Sequence, residues 1–284
     1  MSIKQYISFS QLKTYNECPA RYKIKYIQGL KGDGSIHTAF GSAVHTACEF
    51  LLAGIPADGV SSNFRKIFNK ELDELTSEYK TGELVEWFAK QKPSMDYDEG
   101  IEWFYDQGIR LIPEIMPFMR KTFGNFEVLH IEEELMESVT ELPLSKRPFR
   151  GFIDAVIKTE DGKIHVIDWK TCSWGWTSAK KGNTLNSYQL TLYKKFLAEK
   201  HGLDVKNIET YFCLLKRTAK KDIIELVRIT SGNLKTTNAV SLLTQTIYNI
   251  DDRSFFMKNL SACKWCQFEN KECDRPWRNR SKKS

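Results

Sequence analysis

Long apolar runs are missing. Nowhere in the 284 residues does one approach the ~18–20 positions that a bilayer-spanning helix requires. Met1 to Ser8 also lacks the apolar core of a signal peptide, so a soluble, intracellular protein with no membrane partner is expected. Internal repeats, low-complexity tracts and Pro/Gly/Ser-rich tethers are absent, and proline is scarce at 8 residues. Nothing therefore marks two tethered parts, and one domain over residues 1–284 is predicted. A hydrophobic share of 41% against 27% charged excludes wholesale disorder and collagen-like or coiled-coil designs.

What is present leans mildly basic: 42 Lys and Arg against 36 Asp and Glu give +6, a weak pull towards a polyanionic partner. The seven cysteines are more informative. Cys48, Cys172 and Cys213 stand alone among apolar or mixed neighbours and read as small core fillers. Cys263-Lys-Trp-Cys266, followed after six residues by Cys273, places three thiols within 11 positions. A C-x₂-C pair is a common bite for a metal or cluster, and both tetrahedral zinc and a [4Fe–4S] cluster need four ligands. No fourth cysteine or histidine is nearby, so a distant one must complete the set, and Cys18 beside Pro19 is the best candidate.

The first half reads as helical. Ser8 to Ile27 is a predicted helix with Ser10 as N-cap and a break at Pro19. Phe40 to Leu52 is a second helix, ended by Gly54, Pro56 and Gly59. Residues 61–122 carry apolar stripes at helical spacing, with Pro113 and Pro117 expected to interrupt them. From Asn125 the texture changes. Strands are predicted at 126–139, 149–158 and 163–170, with Asp161-Gly162 as a hairpin turn. A helix at 185–200, strands near 209–216 and 223–229, and a helix near 234–250 follow. An α/β fold with helices around one mixed sheet is the simplest architecture.

The hairpin carries the chemistry. In Asp168-Trp169-Lys170 the acid and the lysine point to one face, about 7 Å apart along the strand, and Asp154 of Gly151-Phe-Ile-Asp154 reaches that face from the neighbouring strand. Carboxylates in apolar strands are costly to bury unless paired or metal-bound. Two of them with open coordination positions suit Mg²⁺ or Mn²⁺, and a lysine beside them can orient water and offset phosphate charge. Asp-x-Lys alone equally describes an internal salt bridge. Three further features bear on that choice. Gly41-Ser-Ala-Val-His45 sets His45 on an early helix, where it is a further candidate ligand. Glu132 and Glu134 share one strand face, and Gln189 and Tyr193 share one helix face.

In this order the motifs resemble the PD-(D/E)XK nuclease superfamily, specifically its RecB-like branch. That branch includes the four-cysteine nucleases associated with CRISPR systems and the nuclease domain of AddB. The opening Ser8-Phe-Ser10-Gln-Leu-Lys-Thr-Tyr15-Asn-Glu-Cys18-Pro19 is similar to the family's first helix. The resemblance implies a restriction-endonuclease-like core, with a helical insertion at about 55–124 and a cluster-binding segment at about 255–284. It implies a metal held by His45, Asp154, Asp168 and the main-chain carbonyl of Trp169. Lys170 would position the attacking water, an acid would come from Glu132 or Glu134, and Gln189 and Tyr193 would hold the substrate strand or Lys170. It further implies an iron–sulfur cluster on Cys18, Cys263, Cys266 and Cys273, which spacing alone does not separate from zinc.

The activity expected is Mg²⁺- or Mn²⁺-dependent DNA hydrolysis, as an exonuclease on single strands or duplex ends with endonuclease activity as a further option. The rival reading is a DNA-binding subunit of a helicase, recombination or CRISPR adaptation complex. The location expected is the cytoplasm of a bacterial, archaeal or virus-infected cell. Basic residues beside aromatics suit a single-stranded backbone with stacked bases. Lys180 and Lys181 follow Trp174 and Trp176, Lys194 and Lys195 follow the Gln/Tyr helix, and Arg275, Arg278, Arg280, Lys282 and Lys283 close the chain.

Overall fold

Apolar alternation in 149–172, split by a turn, dictates a hairpin, and the rest of the fold is arranged around it. The computed structural model describes residues 5–30, 32, 34–139, 147–268 and 273. In chain order the elements are β1 (Ile7–Ser8), α1 (Phe9–Glu17), α2 (Pro19–Tyr22), α3 (Ile36–Leu52), α4 (Ala57–Asp73), α5 (Ser77–Thr81), α6 (Glu83–Gln91) and α7 (Tyr97–Phe123). They continue with β2 (Phe126–Glu137), β3 (Phe149–Thr159), β4 (Ile164–Cys172), α8 (Ser178–Lys181), α9 (Thr184–His201), β5 (Ile208–Lys216), β6 (Ile224–Ile229) and α10 (Asn233–Asp251). The basic tail beyond residue 273 lies outside the described residues.

The chain divides into two compact units. One comprises Met1–Gly32, Met136–Arg150 and Thr237–Ser284, and the other Asp33–Leu135 and Gly151–Thr236. In the first, β1 pairs in parallel with the start of β3, Ile7 against Phe149 and Ser8 against Arg150. Ser8 rather than Ser10 caps α1: it keeps an extended backbone and its hydroxyl accepts the Gln11 N–H at 3.3 Å. The chain passes directly from strand to helix there, so the cap falls at the junction and Ser10 is already helical. Pro19 starts α2, and a five-residue π-helical stretch, Lys23–Ile27, follows it.

In the second unit β3, β4, β5 and β6 lie side by side, and β2 also pairs with β3. β3 and β4 are antiparallel, β4 and β5 parallel, and β5 and β6 antiparallel. The parallel step requires a crossover, which α8 and α9 supply. Ala155, Ile157, Ile167, Trp169, Cys213 and Leu215 pack into one core with residues of α3, α4 and α7. Helices on a mixed sheet are the restriction-endonuclease-like arrangement. Cys48 and Cys213 are fully buried in that core and act as fillers.

Two expectations about breakers fail. Gly59 lies inside α4, and α7 runs through Pro113 and Pro117 without a break. Both prolines face outward, while Leu111, Ile112, Ile115 and Met119 are fully buried along the inner stripe. That burial outweighs two missing N–H donors. α7 also approaches α4 closely, because a Cβ added at Gly108 would run into the Phe64 ring. Gly108→Ala should therefore lower stability by about 1–3 kcal/mol through overpacking, despite the higher helix propensity of alanine. Urea midpoints of the two proteins measure it, and an unchanged or higher midpoint contradicts this packing.

Candidate active site

The β3–β4 turn is tight, with Gly162 at φ +81° and its N–H donating to the Thr159 carbonyl at 2.9 Å. From there the register runs Lys158↔Ile164, Ile157↔His165, Val156↔Val166 and Ala155↔Ile167. One step further sets Asp154 opposite Asp168. Both acids are buried, at 8% and 1% exposure. Asp154 Oδ2 accepts the Trp169 N–H at 2.6 Å. Asp168 Oδ2 lies 2.5 Å from Lys170 Nζ, and its Oδ1 accepts from Gln189 Nε2 at 2.7 Å. That amide also lies 3.3 Å from the Tyr193 hydroxyl, one turn further along α9.

α3 brings the imidazole. It lies so near β4 at Gly41 that an added Cβ would sit 3.3 Å from Thr171 Oγ1. One turn on, His45 Nδ1 is 3.5 Å from Asp154 Oδ2. From β2, Glu132 completes a group in which ligand atoms of His45, Glu132 and Asp154 all lie within 4.8 Å of one another. Glu132 has φ +52°, rare for a side-chain-bearing residue in a strand. Glu134 is exposed, and its carbonyl accepts from Lys200 at 2.6 Å.

Electrostatics follow from burial and crowding. Asp154 is pushed well above the carboxylate range by burial and then by Asp168, against the pull of Lys170 and the Trp169 N–H. Glu132 is raised by burial and by Asp168. Burial, then Lys170, lowers His45, which leaves it a neutral imidazole able to act as a ligand. At Lys170 burial opposes the ammonium, but Asp168 and Asp154 outweigh it and the net shift is upward. Burial and Asp168 raise Tyr193, so it stays a phenol. Three crowded acids, one neutral imidazole and an ammonium suit the capture of a cation.

Other candidates fall elsewhere. Trp176 packs on Phe212 with ring centroids 4.9 Å apart, and Lys180 Nζ lies 4.7 Å from the Trp176 ring. Lys181 pairs with Glu225, and Lys195 with Glu199 at 2.6 Å. Trp174 is 70% exposed and, with Trp87, Trp103, Arg110 and Arg217, lines a cavity of about 510 Å³ just past the end of β4. The last four of these were not singled out from sequence, because their spacing reads as ordinary helix and strand. In the other unit, Cys18 is buried and its Sγ accepts the Asn259 N–H at 3.4 Å. Burial raises the Cys273 thiol, as do the neighbouring Cys18, Cys266 and Cys263, while Lys258 acts in the opposite direction.

Two buried acids on neighbouring strands, with a lysine and an imidazole beside them, are groups that can hold a divalent cation against a phosphate. The chain belongs to the PD-(D/E)XK nuclease superfamily, whose pattern it matches over residues 6–271. It is similar to the gene 69 protein of Mycobacterium phage D29, with 24% identity over 217 residues, 74% of this chain and 75% of that protein. Its fold is similar to that of a candidate exonuclease of Eubacterium rectale. The TM-score is 0.54 at 11% identity, covering 97% of this chain and 91% of that one.

Proposed function

We propose that this nuclease is a divalent-metal-dependent deoxyribonuclease of the RecB-like branch, acting as an exonuclease on single strands or duplex ends. The observation that carries this reading is the His45, Glu132 and Asp154 group, within 4.8 Å, beside the Asp168–Lys170 pair. These residues fit a hard cation: the donors are carboxylates and a neutral imidazole, and the buried acids repel one another without one. His45, Glu132 and Asp154 would hold Mg²⁺ or Mn²⁺, with Asp168 and the Trp169 carbonyl adjoining. The ion, when bound, supplies Lewis-acid polarisation of the phosphate and activation of water.

Lys170 offers its ammonium to the charge that grows on the phosphate and orients the incoming water. Asp168 and Gln189 fix where that ammonium stands, and Tyr193 braces Gln189. Trp174 and the cavity beside it offer an indole face and two guanidinium groups to an unpaired base. That, with the name carried by the Eubacterium rectale protein, supports an exonuclease on single strands. Cys18, Cys263, Cys266 and Cys273 are proposed to bind a [4Fe–4S] cluster, with Zn²⁺ the alternative. The C-x₂-C spacing of Cys263 and Cys266, with Cys273 close behind in sequence, supports a common ligand set, and the group would tie segments 245 positions apart.

Lys170→Met should cut single-turnover cleavage by about 10²-fold or more while Mn²⁺ still binds. Calorimetry and a cleavage assay on the same preparation test this. Undiminished cleavage would sink the proposed role of Lys170.

A further inference from the structure

Strand β2 carries a second constellation that the nuclease chemistry leaves unused. His130, Glu133 and His201, the last residue of α9, offer three ligand atoms that lie within 4.8 Å of one another. Glu133 Oε2 is 3.2 Å from His130 Nδ1, and Oε1 is 2.7 Å from His201 Nε2. The two imidazoles lie nearly side by side, with centroids 4.8 Å apart and planes 32° from parallel.

Residues three apart on a regular strand point to opposite faces. The positive φ of Glu132 breaks that alternation. Glu132 turns to His45 and Asp154, whereas Glu133 turns to His130 and His201. One strained residue thus separates two groups of ligating side chains.

We propose that His130, Glu133 and His201 form a second metal site, suited to Zn²⁺ or a similar transition ion rather than to Mg²⁺. Two imidazoles and one carboxylate are a zinc donor set that leaves a fourth position for water, whereas Mg²⁺ favours oxygen alone. One atom from each residue lies within 4.8 Å of the others, so small side-chain shifts bring all three to the ~3.3 Å edges of a tetrahedron with bonds of ~2.0–2.1 Å. Lys200 Nζ now stands 2.8 Å from Glu133 Oε1 and competes with a cation for that oxygen. It keeps a second anchor on the Glu134 carbonyl at 2.6 Å. An ion here would join β2, which carries Glu132, to α9, which carries Gln189 and Tyr193. The site does not depend on the nuclease reading, because none of its ligands belongs to the acid cluster.

The test is a Zn²⁺ titration of the full-length protein in millimolar Mg²⁺, which occupies oxygen-rich sites. Wild type should bind one more equivalent of Zn²⁺ than the His130→Gln/His201→Gln double variant, with circular dichroism confirming that both are folded. Lys200→Ala, which removes the competing ammonium, should bind that equivalent about fivefold more tightly. Co²⁺ at the site should give ligand-field absorption without a thiolate charge-transfer band, which separates it from the cysteines. Equal stoichiometry in wild type and double variant, or weaker binding by Lys200→Ala, overturns the proposal.

Discussion

Asp154→Asn is expected to abolish cleavage and, in EDTA, to raise the unfolding temperature. The rate should fall by about 10³-fold, since a catalytic cation supplies several kcal/mol of charge stabilisation and Asn holds it poorly. The stability gain has a separate origin. Asp154 is buried at 8% exposure and crowded by Asp168 and Glu132, so without metal its charge is unfavourable. Its carboxyl is raised in the folded state, so the unfolded chain loses that proton at lower pH. The folded protein then loses stability as pH rises from the ordinary carboxylate range through the raised value. Asn removes that loss and still accepts the Trp169 N–H. At pH 8 the gain should be about 2–6 °C, and it should shrink below pH 4, where both states are protonated. Thermal melts in EDTA at the two pH values decide it, and a lower melting temperature at pH 8 contradicts the electrostatic account.

The second large effect concerns the cysteines. Cys18→Ser should bleach the protein of iron and cost about 5 kcal/mol, because a link spanning 245 positions is lost from the unfolded-state constraint. That corresponds to roughly 10 °C. Cys213→Ser, in the core and remote from the other thiols, should leave colour and iron content intact. Visible absorbance that dithionite bleaches, followed through both variants, distinguishes the two kinds of cysteine. A colourless wild type that releases zinc on acidification would replace the cluster by a zinc site. Metal content unchanged by Cys18→Ser would remove Cys18 from the ligand set.

The hairpin was the most readable part of the chain. Period-two alternation in 151–157 and 164–170 with Asp161-Gly162 between them specifies turn and register together, and that register, Ala155 against Ile167, carried one step further puts Asp154 opposite Asp168. The helix at 185–200 was readable from helical spacing instead, and i, i+4 spacing alone puts Gln189 and Tyr193 on one face. Glu132 could not be chosen over Glu134, because alternation treats them alike and the left-handed backbone at Glu132 leaves no local mark. The His130, Glu133 and His201 group was hidden twice. Its spacing on the strand has the wrong parity, and its third member lies 68 positions away. Pro113 and Pro117 misled because local propensity cannot register the buried stripe beneath them. Trp176 and Lys181, which sequence places beside one another in a basic, aromatic loop, also pack on Phe212 and pair with Glu225, partners that loop spacing does not reveal.

His45, Glu132 and Asp154, beside Asp168 and Lys170, are proposed to bind a hard divalent cation that drives phosphodiester hydrolysis. A time course on end-labelled single- and double-stranded DNA, with Mg²⁺, Mn²⁺ or EDTA and with wild type and Asp154→Asn side by side, tests it most directly. Cleavage that needs the metal, releases nucleotides from an end and vanishes in the variant is the predicted result. Cleavage at full rate in EDTA, or at wild-type rate in Asp154→Asn, would contradict it.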